Sequence, residues 1–205
     1  MSKELITCDM IRDASLKLVY KMYNEDNFTP DVIYNSLRGG AYIANVMSEF
    51  YKLMALKNKK DPVYYAAVVA RSYTLVKDHH GHVDIDGWTY SPKYLQKGQK
   101  VLIVDDIFDT GMTVNALVKT IMNAGIPRED IKVAVYDYKV PLYKNEEPLE
   151  IQPDYYCRKH VLNSKEDEQW IHYTPHEFIG LTHDEIDDIY EDEEVKKILH
   201  EITEI

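Results

Sequence analysis

A short apolar run that ends in two acids constrains the fold of this chain more than any other segment. Residues 101 to 104 are four consecutive apolar residues, a pattern typical of a strand buried on both faces of a parallel sheet. Asp105 and Asp106 follow directly. Because unpaired carboxylates are costly to bury, we expect both to emerge where the strand stops, at the edge where open α/β sheets bind ligands.

The next segment predicts an anion site at the start of a helix. The segment consists of Asp109, Thr110, Gly111, Met112 and Thr113. It places an acid, two hydroxyls and a glycine before an apolar pattern of helical spacing. Backbone N–H groups at a helix start, assisted by the hydroxyls, favour a bound anion. Taken singly, the pieces have plainer interpretations, namely a core strand, solvated aspartates, and a helix start that Asp109 or Thr110 caps.

In this order and spacing, residues 101 to 113 resemble the phosphoribosyl-diphosphate (PRPP) signature of the type I phosphoribosyltransferases. The resemblance implies that Asp105 and Asp106 accept hydrogen bonds from the ribose hydroxyls and that residues 109 to 113 cradle the 5-phosphate. It implies that Asp109 is catalytic and handles a proton at purine N7. It also implies Mg²⁺ as cofactor, with Asp105 among the residues that hold it.

A turn with two glycines follows the strand predicted around residues 32 to 34. The turn consists of Leu37, Arg38, Gly39 and Gly40. It could bring backbone N–H groups and one cation to an anion. It could equally be a tight connection in which the arginine is there by chance. Purine phosphoribosyltransferases carry a similar turn that holds pyrophosphate. The resemblance therefore implies a pyrophosphate site here, with a cis peptide bond between Leu37 and Arg38.

Residues 74 to 99 form a long polar segment, and a connection of this length is more often a functional lid or disordered than an idle spacer. The resemblance implies a mobile loop that closes over the reaction centre, with Ser72 and Tyr73 at its root. A small hairpin around residues 82 to 90 is the alternative for part of it, and the sequence leaves this choice open.

Lys139 follows the strand predicted at residues 131 to 138. A lysine in this position is usually an ordinary surface charge. The resemblance gives it a second interpretation, in which it donates a hydrogen bond to the 6-oxo group of a purine.

The run that begins at Trp170 and Ile171 also has two interpretations. The simpler one is a strand with its indole in a core. The resemblance instead implies a hood in which Trp170 stacks on the base, the Ile171 backbone reads its edge, and Glu177 lies near magnesium-pyrophosphate as a metal residue. Thr174 is extra, and His176 stands where relatives have a second tryptophan, so base selectivity is the most open part of the prediction.

Composition restricts the partners and the compartment. The formal net charge is -11, from 35 acidic against 24 basic residues, which argues against general affinity for nucleic acid or for an anionic membrane. Cys8 and Cys157 offer no disulfide framework, and the chain shows neither a signal-peptide pattern nor a transmembrane stretch. We therefore expect a cytoplasmic protein.

These observations predict an α/β protein with a central parallel sheet flanked by helices. We expect a PRPP-binding core at residues 1–148, and a hood with a C-terminal helix at residues 149–205. The partners would be PRPP and a purine base, and the assembly a homodimer or homotetramer. The predicted reaction transfers the ribose 5-phosphate of PRPP to a 6-oxopurine. The alternatives are a regulator of the same fold and a transferase for another base.

Overall fold

The computed structural model describes residues 3–73, 82–145 and 147–203, without the side chains of residues 71–73 and 82. The described residues contain eight strands: β1 (Lys3–Ile6), β2 (Val32–Leu37), β3 (Tyr64–Tyr73), β4 (His82–Trp88), β5 (Val101–Phe108), β6 (Ile131–Pro141), β7 (Tyr155–Leu162) and β8 (Trp170–Tyr173). They contain five α-helices: α1 (Cys8–Asn24), α2 (Ala41–Asn58), α3 (Met112–Asn123), α4 (His183–Ile189) and α5 (Glu193–Thr203).

Six of the strands form one sheet in the order β4-β3-β2-β5-β6-β7. All neighbouring pairs are parallel except β3 with β4. Helix α2 connects β2 to β3, and α3 connects β5 to β6, as parallel pairing requires. The α/β fold class predicted from the sequence is confirmed.

Strand β5 lies inside the sheet and is covered on both faces. Val101, Leu102, Ile103 and Val104 are all fully buried, although their side chains point alternately to opposite faces. Val101 and Ile103 share a core cluster with four residues of α3, namely Val114, Leu117, Val118 and Ile121. The buried apolar run predicted from the sequence therefore forms a central strand.

The expectation that β5 stops before its two acids was wrong. The strand continues to Phe108, because its ladder with β6 extends from Val101–Ile131 to Phe108–Tyr138. Asp105 is only 8% exposed as a result. The acids therefore belong to the last part of the strand rather than to the loop after it.

The polar segment after β3 is partly regular. Strand β4 pairs antiparallel with β3, so residues 82–88 are extended, but they form one strand of the main sheet and not a separate small hairpin around residues 82 to 90. Ser72 and Tyr73 belong to the end of β3, as far as the backbone is described. Residues 74–81, where the expected lid would have its tip, lie outside the described residues.

The chain divides into two compact units. The larger comprises residues 11–167, and the smaller combines residues 1–10 with residues 168–205. This division differs from the expected boundary after residue 148, because β7 pairs with β6 and belongs to the main sheet.

The smaller unit is built from both ends of the chain. Strand β1 pairs in parallel with β8, in register from Lys3–Trp170 to Ile6–Tyr173. The two C-terminal helices pack through a small cluster of buried residues, Leu181, Ile186 and Leu199. Helix α4 begins with a capping box, in which Thr182 accepts from the Glu185 N–H and the Glu185 carboxylate accepts from the Thr182 N–H. Among the described residues, no helix is long and apolar enough to cross a membrane.

Candidate active site

The candidate site in the larger unit lies at the carboxyl edge of the main sheet. Strands β2, β5 and β6 are adjacent and parallel, so the segments at their carboxyl ends meet at this edge. Four groups lie at these strand ends, namely the turn at residues 37–40, the acids of β5, residues 109–113 and Lys139. The fold thus brings together four of the sequence-predicted groups.

The turn at residues 37–40 is fitted closely to β5. The peptide bond between Leu37 and Arg38 is cis, as the resemblance implied. A Cβ atom on Gly39 would collide with the carboxylate of Asp106, and one on Gly40 would come within 2.9 Å of the Ser36 carbonyl oxygen. Both glycines are therefore required by the close approach of the turn to β5 and to the end of β2.

The two acids of β5 differ in their surroundings. The Asp106 N–H donates to Asp105 Oδ1 at 3.1 Å, and the Ile107 N–H donates to Asp106 Oδ1 at 2.8 Å. Burial raises the pKa of Asp105 well above its usual range, and both the charge of Asp106 and a hydrogen bond between the two carboxyls act in the same direction. Ser36 opposes the rise through a hydrogen bond to Asp105. On balance, these surroundings favour the protonated form of the Asp105 carboxyl in the free protein.

Residues 109–113 form the turn that starts α3. The N-cap is Gly111, which has a φ of 77° and makes no side-chain cap hydrogen bond, so Asp109 and Thr110 are not the N-cap residue. A Cβ on Gly111 would collide with the ring of Phe108. The Met112 N–H donates to Thr110 Oγ1 at 3.4 Å. The first N–H groups of α3 have no partner within the helix, which suits them to an anion.

Lys139 and Asp109 face each other across two strand ends. Lys139 Nζ lies 3.9 Å from Asp109 Oδ1, with the lysine side chain 13% exposed and the aspartate 58% exposed. Both line a cavity of about 450 Å³ whose other walls are largely apolar. A donor and an acceptor thus stand side by side on a pocket large enough for a purine ring.

Sequence reasoning missed several residues that shape this edge. Tyr138 lines the cavity, packs edge-on against Phe108, and donates its hydroxyl to Gln152 Oε1 at 2.6 Å. Ser36 contacts Asp105 from β2. One signal was available for Ser36, because Asn35 and Ser36 interrupt an otherwise apolar strand. The partnership of Tyr138 with Gln152 leaves no comparable pattern in the sequence.

The predicted hood residues belong to the smaller unit. The Trp170 side chain is exposed to 56%, so its indole does not lie in a core, whereas Ile171 is buried. Glu177 Oε2 accepts the N–H of Tyr173 at 2.9 Å. Their roles toward a base and a metal ion stay predictions.

The acids of β5 fit magnesium in one particular mode. Among the described residues, no cluster of three or more His, Cys, Asp or Glu side chains could hold a metal ion by itself. Magnesium is commonly held by one or two carboxylates together with substrate phosphates, and it retains water. Asp105 and Asp106 are adjacent carboxyls, and it is unfavourable for both to be charged at once. They therefore suit magnesium that is coordinated partly by substrate phosphates, rather than magnesium held by protein ligands alone.

Comparison with known proteins places this geometry in a family. The sequence model of the phosphoribosyl transferase domain matches residues 7–176. The bifunctional protein PyrR of Halalkalibacterium halodurans is 27% identical to this chain over 170 residues, which cover 82% of this chain and 88% of that protein.

Many solved structures share the fold, and two crystal structures serve as examples. Purine phosphoribosyltransferase from Pyrococcus horikoshii matches with a TM-score of 0.61 and 22% identity, covering 89% of this chain and 99% of that one. A hypoxanthine phosphoribosyltransferase from Staphylococcus aureus matches with a TM-score of 0.53 and 18% identity, covering 75% and 74%. At these identities the likeness concerns the fold.

Proposed function

The chain belongs to the phosphoribosyl transferase domain family, and on that premise we propose that it transfers the ribose 5-phosphate of PRPP to N9 of a 6-oxopurine. The products would be a nucleoside monophosphate and pyrophosphate. The observation that carries this proposal is the placement of Lys139 beside Asp109 on the wall of one cavity. Hypoxanthine, guanine and xanthine all fit this description.

The pair complements one edge of a 6-oxopurine. Lysine is a donor only, so Lys139 suits the O6 acceptor, where negative charge builds as the ring reacts. The exposed carboxylate of Asp109 suits the adjacent N7, where it would accept or return a proton. Adenine carries an amino donor at position 6, so with Lys139 it would leave two donors facing each other.

The PRPP roles follow from the neighbouring turns. The first turn of α3 and the hydroxyls of Thr110 and Thr113 would take the 5-phosphate, and Arg38 with Gly39 and Gly40 the pyrophosphate. Asp105 and Asp106 would accept hydrogen bonds from the ribose hydroxyls. Since the transition state of such a transfer resembles an oxocarbenium ion, the placement of charge matters more than covalent catalysis.

Magnesium would be held by Asp105 together with the diphosphate of PRPP. When bound, it would neutralise charge on the leaving pyrophosphate. The residues of the chain then orient the ribose hydroxyls and place the base edge at Lys139 and Asp109. From the smaller unit, we propose that Trp170 stacks on the base, that the Ile171 backbone reads its edge, and that Glu177 contributes near magnesium-pyrophosphate.

A second candidate function comes from the sequence relative. Its name describes a bifunctional protein, so a PRPP-binding regulator, or a transferase for another base such as a pyrimidine, is the alternative for this chain. The net charge of -11 disfavours a nucleic-acid-binding regulator. Lys139 and Trp170 disfavour a pyrimidine substrate.

The assembly and the compartment remain expectations. Both cysteines are free, which fits a reducing cytoplasm. We expect a homodimer or homotetramer, which light scattering of the purified protein would test.

Pyrophosphate release separates the candidate functions. The purified protein is incubated with PRPP and magnesium and, in separate reactions, with hypoxanthine, guanine, xanthine, adenine or uracil. Release with at least one 6-oxopurine, and none with adenine or uracil, is the expected result. Release with uracil alone would favour the pyrimidine transferase, and no release with any base would favour the regulator.

A further inference from the structure

We propose that His172 is a positioning residue of the transferase, because its imidazole ties the turn that carries Glu177 to the strand that carries Trp170 and Ile171. The inference rests on the proposed function, which gives Trp170, Ile171 and Glu177 their roles toward the base and the pyrophosphate. All four residues belong to the smaller unit, so every contact among them lies within that unit.

His172 is a buried imidazole with one anchoring hydrogen bond. Its side chain is 1% exposed, and Nε2 lies 2.7 Å from the carbonyl oxygen of Glu177. A carbonyl oxygen only accepts, so Nε2 carries the hydrogen and donates. This bond connects β8 to a residue five positions further along the chain.

Glu177 closes the same turn through its own groups. Its carboxylate accepts the N–H of Tyr173 at 2.9 Å, and its backbone N–H donates to the Tyr173 carbonyl oxygen at 3.0 Å. The bond from His172 adds a third connection, at the carbonyl oxygen of Glu177. The carboxylate of Glu177 is thereby held at a fixed position relative to β8.

The face of β8 that carries Trp170 also carries His172. Side chains alternate along a strand, so Trp170 and His172 point to one face and Ile171 and Tyr173 to the other. Strand β1 fixes the backbone of β8 by pairing Glu4 with Ile171 and Leu5 with His172. His172 then fixes the turn to this strand, so the proposed base-stacking and pyrophosphate-facing residues move as one piece.

No other hydrogen bond of the ring duplicates this one. Among the described residues, His172 Nδ1 has no hydrogen-bond partner, and it lies 4.0 Å from Glu177 Oε2. In a neutral ring with its hydrogen on Nε2, both of these atoms are acceptors and cannot bond each other. Loss of the Nε2 donor would therefore remove one of the three connections that Glu177 makes to β8 and leave the Glu177 carbonyl without this partner.

Three variants of the full chain test the proposal. His172→Phe keeps a flat ring but removes the donor. His172→Gln carries an amide nitrogen near the position of Nε2 and can restore the donor. Thr182→Ala is the matched control, because it removes the N-cap of α4 in the same unit, and the hydrogen bonds of this cap go to Glu185 and not to the turn.

The steady-state readout is KM against kcat. A merely structural loss lowers the active fraction, and with it the apparent kcat, but leaves KM unchanged. For His172→Phe we expect the KM for the purine base to rise about tenfold, the size expected for losing one hydrogen bond of a binding element. His172→Gln should return KM close to the wild-type value, and Thr182→Ala should lower the melting temperature without changing KM.

Hydrogen exchange supplies a readout that does not depend on activity. In His172→Phe, the amides of Tyr173, Thr174, His176 and Glu177 should exchange faster than in the wild type, whereas Thr182→Ala should leave them unchanged. Unchanged exchange in His172→Phe, or an unchanged KM in an active His172→Phe enzyme, would overturn the proposal. A wild type that turns over no base would instead overturn the proposed function, and exchange would still decide whether His172 holds the turn.

Discussion

Lys139 Nζ lies 3.9 Å from Asp109 Oδ1, although Asp109 follows β5 and Lys139 belongs to β6. An ion pair at this separation with a largely exposed partner contributes only about 0–1 kcal/mol to stability. Its significance is chemical, because it places a donor and a proton acceptor side by side on the wall of one cavity. The first two predictions separate those roles.

Asp109→Asn should lower kcat with guanine or hypoxanthine by about 10²–10⁴-fold, because the variant loses the proposed proton acceptor. Stability and magnesium-PRPP affinity should scarcely change, since Asp109 is exposed and is not the N-cap of α3. Asp13→Asn is the matched control, because it removes another exposed ion pair, with Arg12. A near-normal kcat in Asp109→Asn would assign the proton to water or another residue.

Lys139→Met should reduce kcat/KM for 6-oxopurines by about 10–100-fold, the range expected when a charged hydrogen-bond donor is lost. PRPP affinity should be unaffected, which titration in the absence of base would show. Lys144→Met provides the comparison, because Lys144 lines the same cavity from the segment after β6. Equal losses in the two variants would mean that Lys139 has no specific contact with the base.

Two buried acids of the main sheet should respond in opposite directions to replacement by asparagine. Asp137 is fully buried and accepts from Arg158 at 2.6 and 2.9 Å, with His160 Nε2 at 2.7 Å. Asp137→Asn should therefore destabilise the protein by about 3–5 kcal/mol, because the arginine loses its counter-ion. Asp105 instead lies beside another carboxyl, so Asp105→Asn should stabilise the free protein.

The stabilisation expected from Asp105→Asn should depend on pH, and the direction of that dependence follows from the pKa of Asp105. Because the pKa of Asp105 is raised in the folded state, the folded protein binds this proton more tightly than the unfolded chain does. The contribution of Asp105 to the stability of the wild type therefore falls as the pH rises above the pKa of this group in the unfolded chain, which is about 3.9. Denaturant unfolding should show that the stability advantage of Asp105→Asn over the wild type grows as the pH rises from the unfolded pKa toward the raised pKa of the folded state. Magnesium-PRPP should no longer raise the melting temperature of the Asp105→Asn protein. An advantage that shrinks with rising pH would contradict the account.

Replacement by alanine should mainly reduce stability at Gly40 and mainly reduce magnesium-PRPP binding at Gly39. A Cβ at Gly39 meets the Asp106 carboxylate, which is a side chain, whereas one at Gly40 meets the Val104 carbonyl oxygen at 2.5 Å. Gly40→Ala should therefore destabilise the fold by about 1–3 kcal/mol. Gly39→Ala should lose magnesium-PRPP binding with a smaller loss of stability. Thermal melts with and without magnesium-PRPP measure both effects, and a Gly39→Ala protein that is stabilised normally by the ligand would refute the difference.

The central part of the site could be predicted from sequence because its residues are nearly contiguous. Asp105 to Thr113 span one strand end and one helix start, so local patterns were enough to predict that they lie together at the carboxyl edge of the sheet. The depth of Asp105 could not be predicted, because it depends on how far β5 pairs with β6.

The smaller unit shows where local patterns fail. Strands β1 and β8 have four residues each, too few for a reliable period, and they pair across nearly the whole chain. The bond from His172 to Glu177 depends on a turn conformation that residue types alone do not determine. Trp170 fitted either a core or an exposed site, and its 56% exposure in the structure removed the first interpretation.

A competition reaction tests the central claim most directly. Limiting PRPP and magnesium are given to the protein with equal concentrations of guanine, hypoxanthine, xanthine, adenine and uracil, and the nucleotides formed are identified by mass. The account predicts monophosphates of one or more 6-oxopurines and neither adenosine nor uridine monophosphate. Uridine or adenosine monophosphate as the main product, or no nucleotide at all, would contradict it.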